Sequence, residues 1–220
     1  MARVLVVGAN RGIGLALAKL YAGRGHEVIA TCRKASTALE NAKARIVDGI
    51  DVTDDASMAK LKAFIGKDTL DIVVVNAGIL ARDAIDGLSL ESVERQLAVN
   101  AVAPLRVVSA ILPSLKSGSK IGLITSRMGS IGDNSSGGSY GYRMSKAALN
   151  AMGVSLAHDL QPKGIAVALL HPGFVKTDMT GGSGNVTPDE SAEGLAARLA
   201  ALEMSTSGTF WHMNGETLPW

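Results

Sequence analysis

Along this chain, short runs of consecutive apolar residues alternate with stretches whose apolar positions recur at helical spacing. Val4-Leu5-Val6-Val7 is rich in β-branched residues and ends at Gly8, the pattern of a strand buried on both faces. Residues 15–22 then carry a helical period closed by Gly23 and Gly25. Residues 27–31 and 45–47 read as the second and third strands. The acidic group Asp51 to Asp55 suits a helix start, and residues 70–75 form a fourth strand running into Asn76-Ala77-Gly78. A long apolar helix is expected over residues 89–115, with a break or kink near Ala103 because Pro104 disfavours helix in the residue before it. The fifth strand is expected at 120–126, a Gly/Ser-rich loop at 128–139 and a helix at 140–160. A sixth strand at 165–170 ends at His171-Pro172-Gly173. Thr187-Pro188-Asp189-Glu190 has the look of a capped helix start, the helix reaching about Leu202. A last short strand is expected at 209–211, with a turn at Gly215.

Strands and helices alternating in this way predict an α/β chain, a single-domain Rossmann-type doubly wound parallel sheet of about seven strands with helices on both faces. The length of 220 residues suits one such domain, residues 1–220, and no repeat, low-complexity tract or linker marks a second. A hydrophobic fraction of 47% and a charged fraction of 19% fit a globular chain. The net charge of +2 is scattered, which argues against a nucleic-acid face. No signal-peptide pattern and no apolar run of membrane length is expected. With one cysteine, Cys32, an internal disulfide is impossible, and the expected compartment is the cytoplasm.

Two places then change the picture. Tyr142 and Lys146 are four residues apart, so on a helix they share a face. A phenol titrates near 10 and is a poor acid or base at neutral pH; a neighbouring cation stabilises its phenolate and lowers that value. Such a pair suits an enzyme that moves a proton to or from an alcohol oxygen, although the spacing alone also fits a solvated helix face. Tyr140 lacks the partner, since Met144 stands four positions on.

The second place is Gly8-Ala9-Asn10-Arg11-Gly12-Ile13-Gly14, between the first strand and the first helix, where a pyrophosphate would meet a helix N-terminus. Its spacing, Gly-x-x-x-Gly-x-Gly, departs from the Gly-x-Gly-x-x-Gly dinucleotide pattern. After the second strand Thr31-Cys32-Arg33-Lys34 offers no carboxylate for a ribose hydroxyl. Arg33, with Arg11 in the turn, is a candidate ligand for a 2′-phosphate, so NADP(H) is expected over NAD(H). Both arginines also fit plain solvated surface.

The glycine turn, the strand-end Asn76-Ala77-Gly78 and Tyr142-x-x-x-Lys146, in this order, resemble the short-chain dehydrogenase/reductase family over essentially the whole length. The likeness is strongest to its C-factor-like and carbonyl-reductase-like members, through residues 129–150 and the closing Gly208-Thr209-Phe210 and Leu218-Pro219-Trp220. The resemblance implies an NADP(H)-dependent enzyme interconverting a carbonyl and an alcohol. Tyr142 would be the general acid in reduction, and Lys146 would lower the phenol's pKa and hold the nicotinamide ribose. Ser126 would hydrogen-bond the substrate oxygen, and Asn100 would hold a water linking Lys146 to solvent.

Most members carry the serine thirteen residues before the tyrosine, where this chain has Gly129; Ser126 lies sixteen before and Ser130 twelve. Ser126 is the choice because it ends a strand, with the extra residues inserted as loop. The resemblance further implies Asp51 and the Val52 backbone at the adenine, and Asn76, Ala77 and Gly78 beside the adenosine ribose, Asn76 fitting a structural bridge between strands equally well. Pro172, Gly173, the Val175 backbone and the Thr177 hydroxyl would wrap the nicotinamide. His171 stays outside the assignment.

The glycine-rich stretch between Thr177 and Thr187 predicts a short flexible lid, and Ile79 to Asp83 with Arg127 and Met128 are expected on the other side of an open pocket for an apolar or mildly polar carbonyl. Metal ligation and a nucleophile elbow have no motif here. The competing class is a non-catalytic NADP(H)-binding sensor or signalling protein on the same fold. By the same resemblance a homodimer or homotetramer is expected, paired through helices 89–115 and 140–160.

Overall fold

In the computed structural model, which describes all 220 residues, the chain folds as β1 (Arg3–Val7), α1 (Gly12–Gly23), β2 (Glu27–Thr31), the one-turn α2 (Thr37–Glu40), β3 (Arg45–Val47), α3 (Asp55–Ile65) and β4 (Leu70–Val75). There follow α4 (Leu90–Leu97), a π-helical segment (Ala98–Val102), α5 (Ala103–Ile111), β5 (Leu115–Ile124), α6 (Tyr140–Leu160), β6 (Ala166–His171), α7 (Pro188–Ala201) and β7 (Phe210–His212). All seven strands form one sheet in the order β3-β2-β1-β4-β5-β6-β7, every neighbouring pair parallel.

Alternation along each strand divides the core. Val4 and Val6 of β1 pack with α1 and α7 through Leu17, Leu195 and Leu199. Leu5 and Val7 point the other way, to Leu61 of α3, Ile111 of α5 and Leu149 of α6. Both faces are covered, so the strands read as unbroken apolar runs. The order reverses between β1 and β4, and the crevice at their carboxyl ends is where such a sheet takes a ligand.

Two expectations about the long helix change. The chain does not break before Pro104; it stays helical and widens to π over Ala98–Val102, with Ala103 N–H bonding the carbonyl of Ala98 five residues back. Widening absorbs a proline that can give no N–H to the carbonyl of Asn100. The combined run Leu90–Ser114 also reaches membrane length, with a mean hydropathy of 1.5, contrary to the expectation of no such span. Its apolar positions Val107, Val108 and Ile111 lie fully covered in the core against the sheet.

Helix α6 lies close on the sheet because residue 153 is glycine. A Cβ there would come within 2.7 Å of a Leu169 methyl and 3.0 Å of one on Leu123. Gly153→Val should therefore overpack this seam and cost about 1–3 kcal/mol, which for a chain of this size lowers Tm by roughly 3–10 °C in a thermal scan. An unchanged Tm would mean that α6 has room to lift.

Candidate active site

The site forms where β5 ends beneath the first turns of α6. Tyr142 and Lys146 share the inner face of α6 and both are buried, Lys146 to 4% exposure. The Lys146 ammonium donates to the Ile124 carbonyl at 2.9 Å and stands 5.8 Å from the centre of the Tyr142 ring. Burial disfavours the charged amine and brings its pKa down to about 8.

The Tyr142 phenol behaves differently from expectation. Burial disfavours the phenolate and pushes its pKa up, and the opposing influence is a hydrogen bond with the Ser126 side chain, not the Lys146 charge. The ammonium faces the strand carbonyl, and desolvation of the phenol outweighs what a cation at that distance contributes.

Ser126 thus meets the phenol across the lengthened loop. It lies two residues beyond the end of β5 rather than in the strand, and caps the 3₁₀ turn Arg127–Gly129 by accepting from Met128 N–H at 3.2 Å. Ser130, also buried, accepts from Asp133 N–H at 3.0 Å, which is turn chemistry. Gly129, at the usual serine spacing, is pressed on Lys146: a Cβ there would lie 2.7 Å from the Lys146 carbonyl carbon. No side chain fits at that position.

Asn100 is fully buried in the π segment, and its side chain is already committed. Its Oδ1 accepts from Ile79 N–H at 2.8 Å, while Nδ2 donates to Ile79 O at 2.9 Å and to Ser145 Oγ at 3.0 Å. Ser145 in turn donates to the Tyr142 carbonyl at 2.8 Å. The Asn100 side-chain amide clamps the loop after β4 to α6. Both donor hydrogens are used, while the main-chain oxygen, left without an α-helical donor by Pro104, is free to accept from a water.

The glycine turn earns its spacing sterically. Gly8 (φ 81°) and Gly12 (φ 54°) occupy the left-handed region, and a Cβ on Gly8 would lie 2.8 Å from the Ala77 Cα. Gly14 tolerates no Cβ either, with Gly8 O at 2.2 Å and Asn76 Nδ2 at 2.7 Å from it. Asn76 donates to Gly8 O at 2.9 Å, so its side chain does bridge the ends of β1 and β4. Ala77 packs on Gly8, and Gly78 approaches both Asn100 Oδ1 and the Lys146 ammonium. Ile13 packs on the core at the start of α1.

Across the crevice, Gly12 faces the Thr177 methyl. Arg11 pairs with Asp178 at 3.0 Å, so this arginine spans the cleft instead of projecting freely beside Arg33. Arg33 is exposed, close enough to lower the Asp51 pKa, although the larger cause is the pair of bonds from Thr53 to that carboxylate. Val52 packs on the core beneath α3 and α5. Asn10 has a buried Oδ1 without a hydrogen-bond partner, and its carbonyl accepts from Ser36 Oγ at 2.8 Å. Gly173 takes φ 85°, Pro172 O accepts from Ser191 at 2.8 Å, and Val175 is buried. The lid is not loose at its base, where Lys176 N–H bonds Val186 O, and Asn185 and Val186 N–H both bond Phe174 O. Arg127 is taken up by ion pairs to Asp133 and Glu216 that staple the inserted loop.

The sequence pattern assigns no role to Gln96 or Ser145, and it places Asp83 only along the pocket wall. Gln96 and Asn100 are buried polar residues four apart on an otherwise apolar helix face, a signal present in the sequence. Asp83 carried no such signal, because its partners lie 57 and 58 residues away.

Residues 2–186 match the family model described as short chain dehydrogenase. A curated relative, 1-hydroxy-2-glutathionyl-2-methyl-3-butene dehydrogenase of Rhodococcus sp. (strain AD45), is 41% identical over 100% of both chains. The C-signal of Myxococcus xanthus is 40% identical over 69% of this chain and 93% of its own. Among solved structures, the NADPH-bound carbonyl reductase from chicken fatty liver superposes with a TM-score of 0.90 at 32% identity, covering 100% of this chain and 99% of that one.

His171, at the end of β6, packs edge-on to His212 with ring centres 5.0 Å apart, and its buried Nδ1 has no partner. Burial, aided by the charges of His212, Arg127 and Lys146, brings its pKa down from 6.5 to about 3. Below the ordinary histidine range the unfolded chain binds a proton that the folded chain refuses, so stability falls as pH drops from about 6.5 towards 3. His171→Leu should flatten urea-unfolding stability between pH 6.5 and 4.5, above the carboxylate range. An equal slope in both proteins would assign the acid sensitivity elsewhere.

Proposed function

The chain belongs to the short-chain dehydrogenase family, and we propose that Tyr142, Ser126, Lys146 and Asn100 are its proton-transfer centre in an NADP(H)-dependent interconversion of a carbonyl and an alcohol. The observation that carries this is the buried Tyr142 phenol on one face of α6 with the Lys146 ammonium, beside the Ser126 side chain that opposes the effect of burial on it. In reduction, Tyr142 gives its proton to the carbonyl oxygen while the Ser126 hydroxyl donates a hydrogen bond to the same atom. Lys146 holds the nicotinamide ribose and gives up a proton to restore the phenol. The Asn100 carbonyl is the proposed anchor for the water that returns a proton to Lys146.

The residues fit the cofactor. Gly8 and Gly14 have no room for a Cβ against Ala77 and the Gly8 carbonyl, which holds the turn tight at the N-terminus of α1, and the buried Asn10 Oδ1 in that turn has no partner within the chain. When bound, NADPH supplies the hydride from its nicotinamide ring. Arg33, exposed at the end of β2 with no carboxylate in Thr31-Cys32-Arg33-Lys34, is the proposed 2′-phosphate ligand, in keeping with the NADPH held by the chicken carbonyl reductase. Arg11 would join it by leaving Asp178. Asp51 and the Val52 backbone are proposed for the adenine, and Pro172, Gly173, Val175 and Thr177 for the nicotinamide end.

A signalling role is the second reading, favoured by the similarity to the Myxococcus C-signal. The complete set of Tyr142, Lys146, Ser126 and Asn100 weighs against a chain that has given up catalysis. We propose pairing of subunits through the outer faces of α4–α5 and α6, where Val102, Leu105 and Met144 are exposed. Sedimentation at micromolar concentration should show a dimer or tetramer, and a monomer would remove this proposal.

NADPH oxidation against a panel of aldehydes and ketones tests the main reading. Tyr142→Phe should lower kcat by about 10²–10⁴-fold and Ser126→Ala by about 10²-fold, with Ser130→Ala close to the unaltered protein. Collapse in Ser130→Ala with survival of Ser126→Ala would exchange the two serines. NADPH should exceed NADH in kcat/KM, and Arg33→Ala should erode that ratio by about tenfold or more. A clear NADH preference would sink the cofactor assignment.

A further inference from the structure

The catalytic helix begins without a cap of its own. Ser139, in the N-cap position of α6, sits at φ 49° and ψ 47° and makes no side-chain bond to the helix. It follows Gly137 and Gly138, both also at positive φ, so the chain enters α6 through three left-handed residues. For a serine that conformation is unfavourable and needs support from its surroundings.

The support comes from a different loop. The Asp83 carbonyl accepts from Ser139 N–H at 2.8 Å, and its carboxylate accepts from Tyr140 N–H and from Gly141 N–H, the latter at 3.2 Å. Three successive amides at the helix entry are satisfied by one residue, and a negative charge stands at the helix N-terminus, where it is favourable. Tyr142 is the next residue.

Asp83 is itself held by polar contacts more than by packing. Behind its loop lies an open cavity of about 220 Å³ lined by Ile79, Leu80, Ala81, Ser92 and Arg95. The loop is fixed by Asn100, which grips both ends of the Ile79 peptide, and by Gln96, which accepts from Ala81 N–H at 3.0 Å. Gln96 also abuts α6, since a Cβ on Gly141 would meet its Nε2 at 2.5 Å.

We propose that Asp83 is a positioning residue for Tyr142: it caps α6 from the loop after β4, in place of Ser139, and so fixes the helical turn on which the phenol stands. The carboxylate does not touch the substrate. It makes the loop Ile79 to Asp83 and the proton donor one mechanical unit, so the two stay in register while a substrate enters between them. This rests on the proton-transfer role given above to Tyr142, and the test separates the two.

Asp83→Ala, Asp83→Asn and a control, Lys120→Met, are compared with the unaltered protein. Lys120 bonds the carbonyls of Leu199 and Ala200 at the far end of α7, so its loss weakens a helix end away from the site. In Asp83→Ala, amide hydrogen exchange over residues 140–143 should quicken by about tenfold or more, with later turns of α6 unchanged. With NADPH and the carbonyl panel, kcat should fall by about 10–100-fold while NADPH binding, read by its fluorescence, stays within about twofold. Asp83→Asn keeps one of the two acceptor oxygens and should recover part of both losses. Lys120→Met should lower Tm yet leave kcat and exchange over 140–143 unchanged. Unchanged kcat and exchange in Asp83→Ala, or an equal loss of kcat in Lys120→Met, would overturn the proposal. Should the unaltered protein reduce no carbonyl, the oxidoreductase reading fails on its own, and the exchange comparison still decides whether Asp83 holds the turn.

Discussion

Lys146 is buried, and its ammonium meets the Ile124 carbonyl at 2.9 Å. A cation withdrawn from water needs such a partner, and this one lies on the strand beneath it, so the contact sets how near α6 comes to the end of β5. Much of the surrounding composition follows from that approach. Gly129 and Gly78 stand where side chains would press on Lys146 or its neighbours, and Gly153 lets the same helix lie flat two turns later. The hydroxyl beside the phenol is that of Ser126, since the turn between it and Lys146 is too tight for a side chain at residue 129.

The two titratable groups are tuned by the same burial in opposite chemical senses. Desolvation makes the Lys146 amine easier to neutralise and the Tyr142 phenol harder to ionise, so each is pushed towards its uncharged form. Ser126 opposes the effect on the phenol. A neutral phenol kept within reach of a hydroxyl and an amine suits a donor that gives up its proton only as a substrate oxygen gains charge.

Asn100 shows how a local irregularity serves the site. Pro104 removes a helical donor, the helix widens to π over Ala98–Val102, and the residue at the centre of that segment turns its amide to the Ile79 peptide and Ser145. Three elements, the loop after β4, the π segment and α6, are joined there by one side chain. The proline expected to break the helix instead leaves a main-chain oxygen exposed to other donors, and the amide becomes a clamp.

Local order was legible in the sequence. Apolar runs bounded by glycine gave strands that match the observed ones to within a residue or two, except β5, whose irregular start at Leu115 has no apolar run to mark it. Residues 140–160 formed the expected helix, with Tyr142 and Lys146 on one face because four residues make about one turn. The glycine turn and its place after β1 were equally visible, since backbone conformation is a local property. Tertiary structure alone decided which serine meets the phenol, that the Asn100 amide is a clamp, that Arg11 reaches Asp178, and that Asp83 caps a helix 57 residues away. It alone decided that burial, more than the lysine, governs the Tyr142 phenol. The sequence determined each element because its signals repeat within a turn or a strand. The pairings between elements depend on distances set by the whole sheet, and desolvation depends on everything packed around a group, which no spacing along the chain encodes.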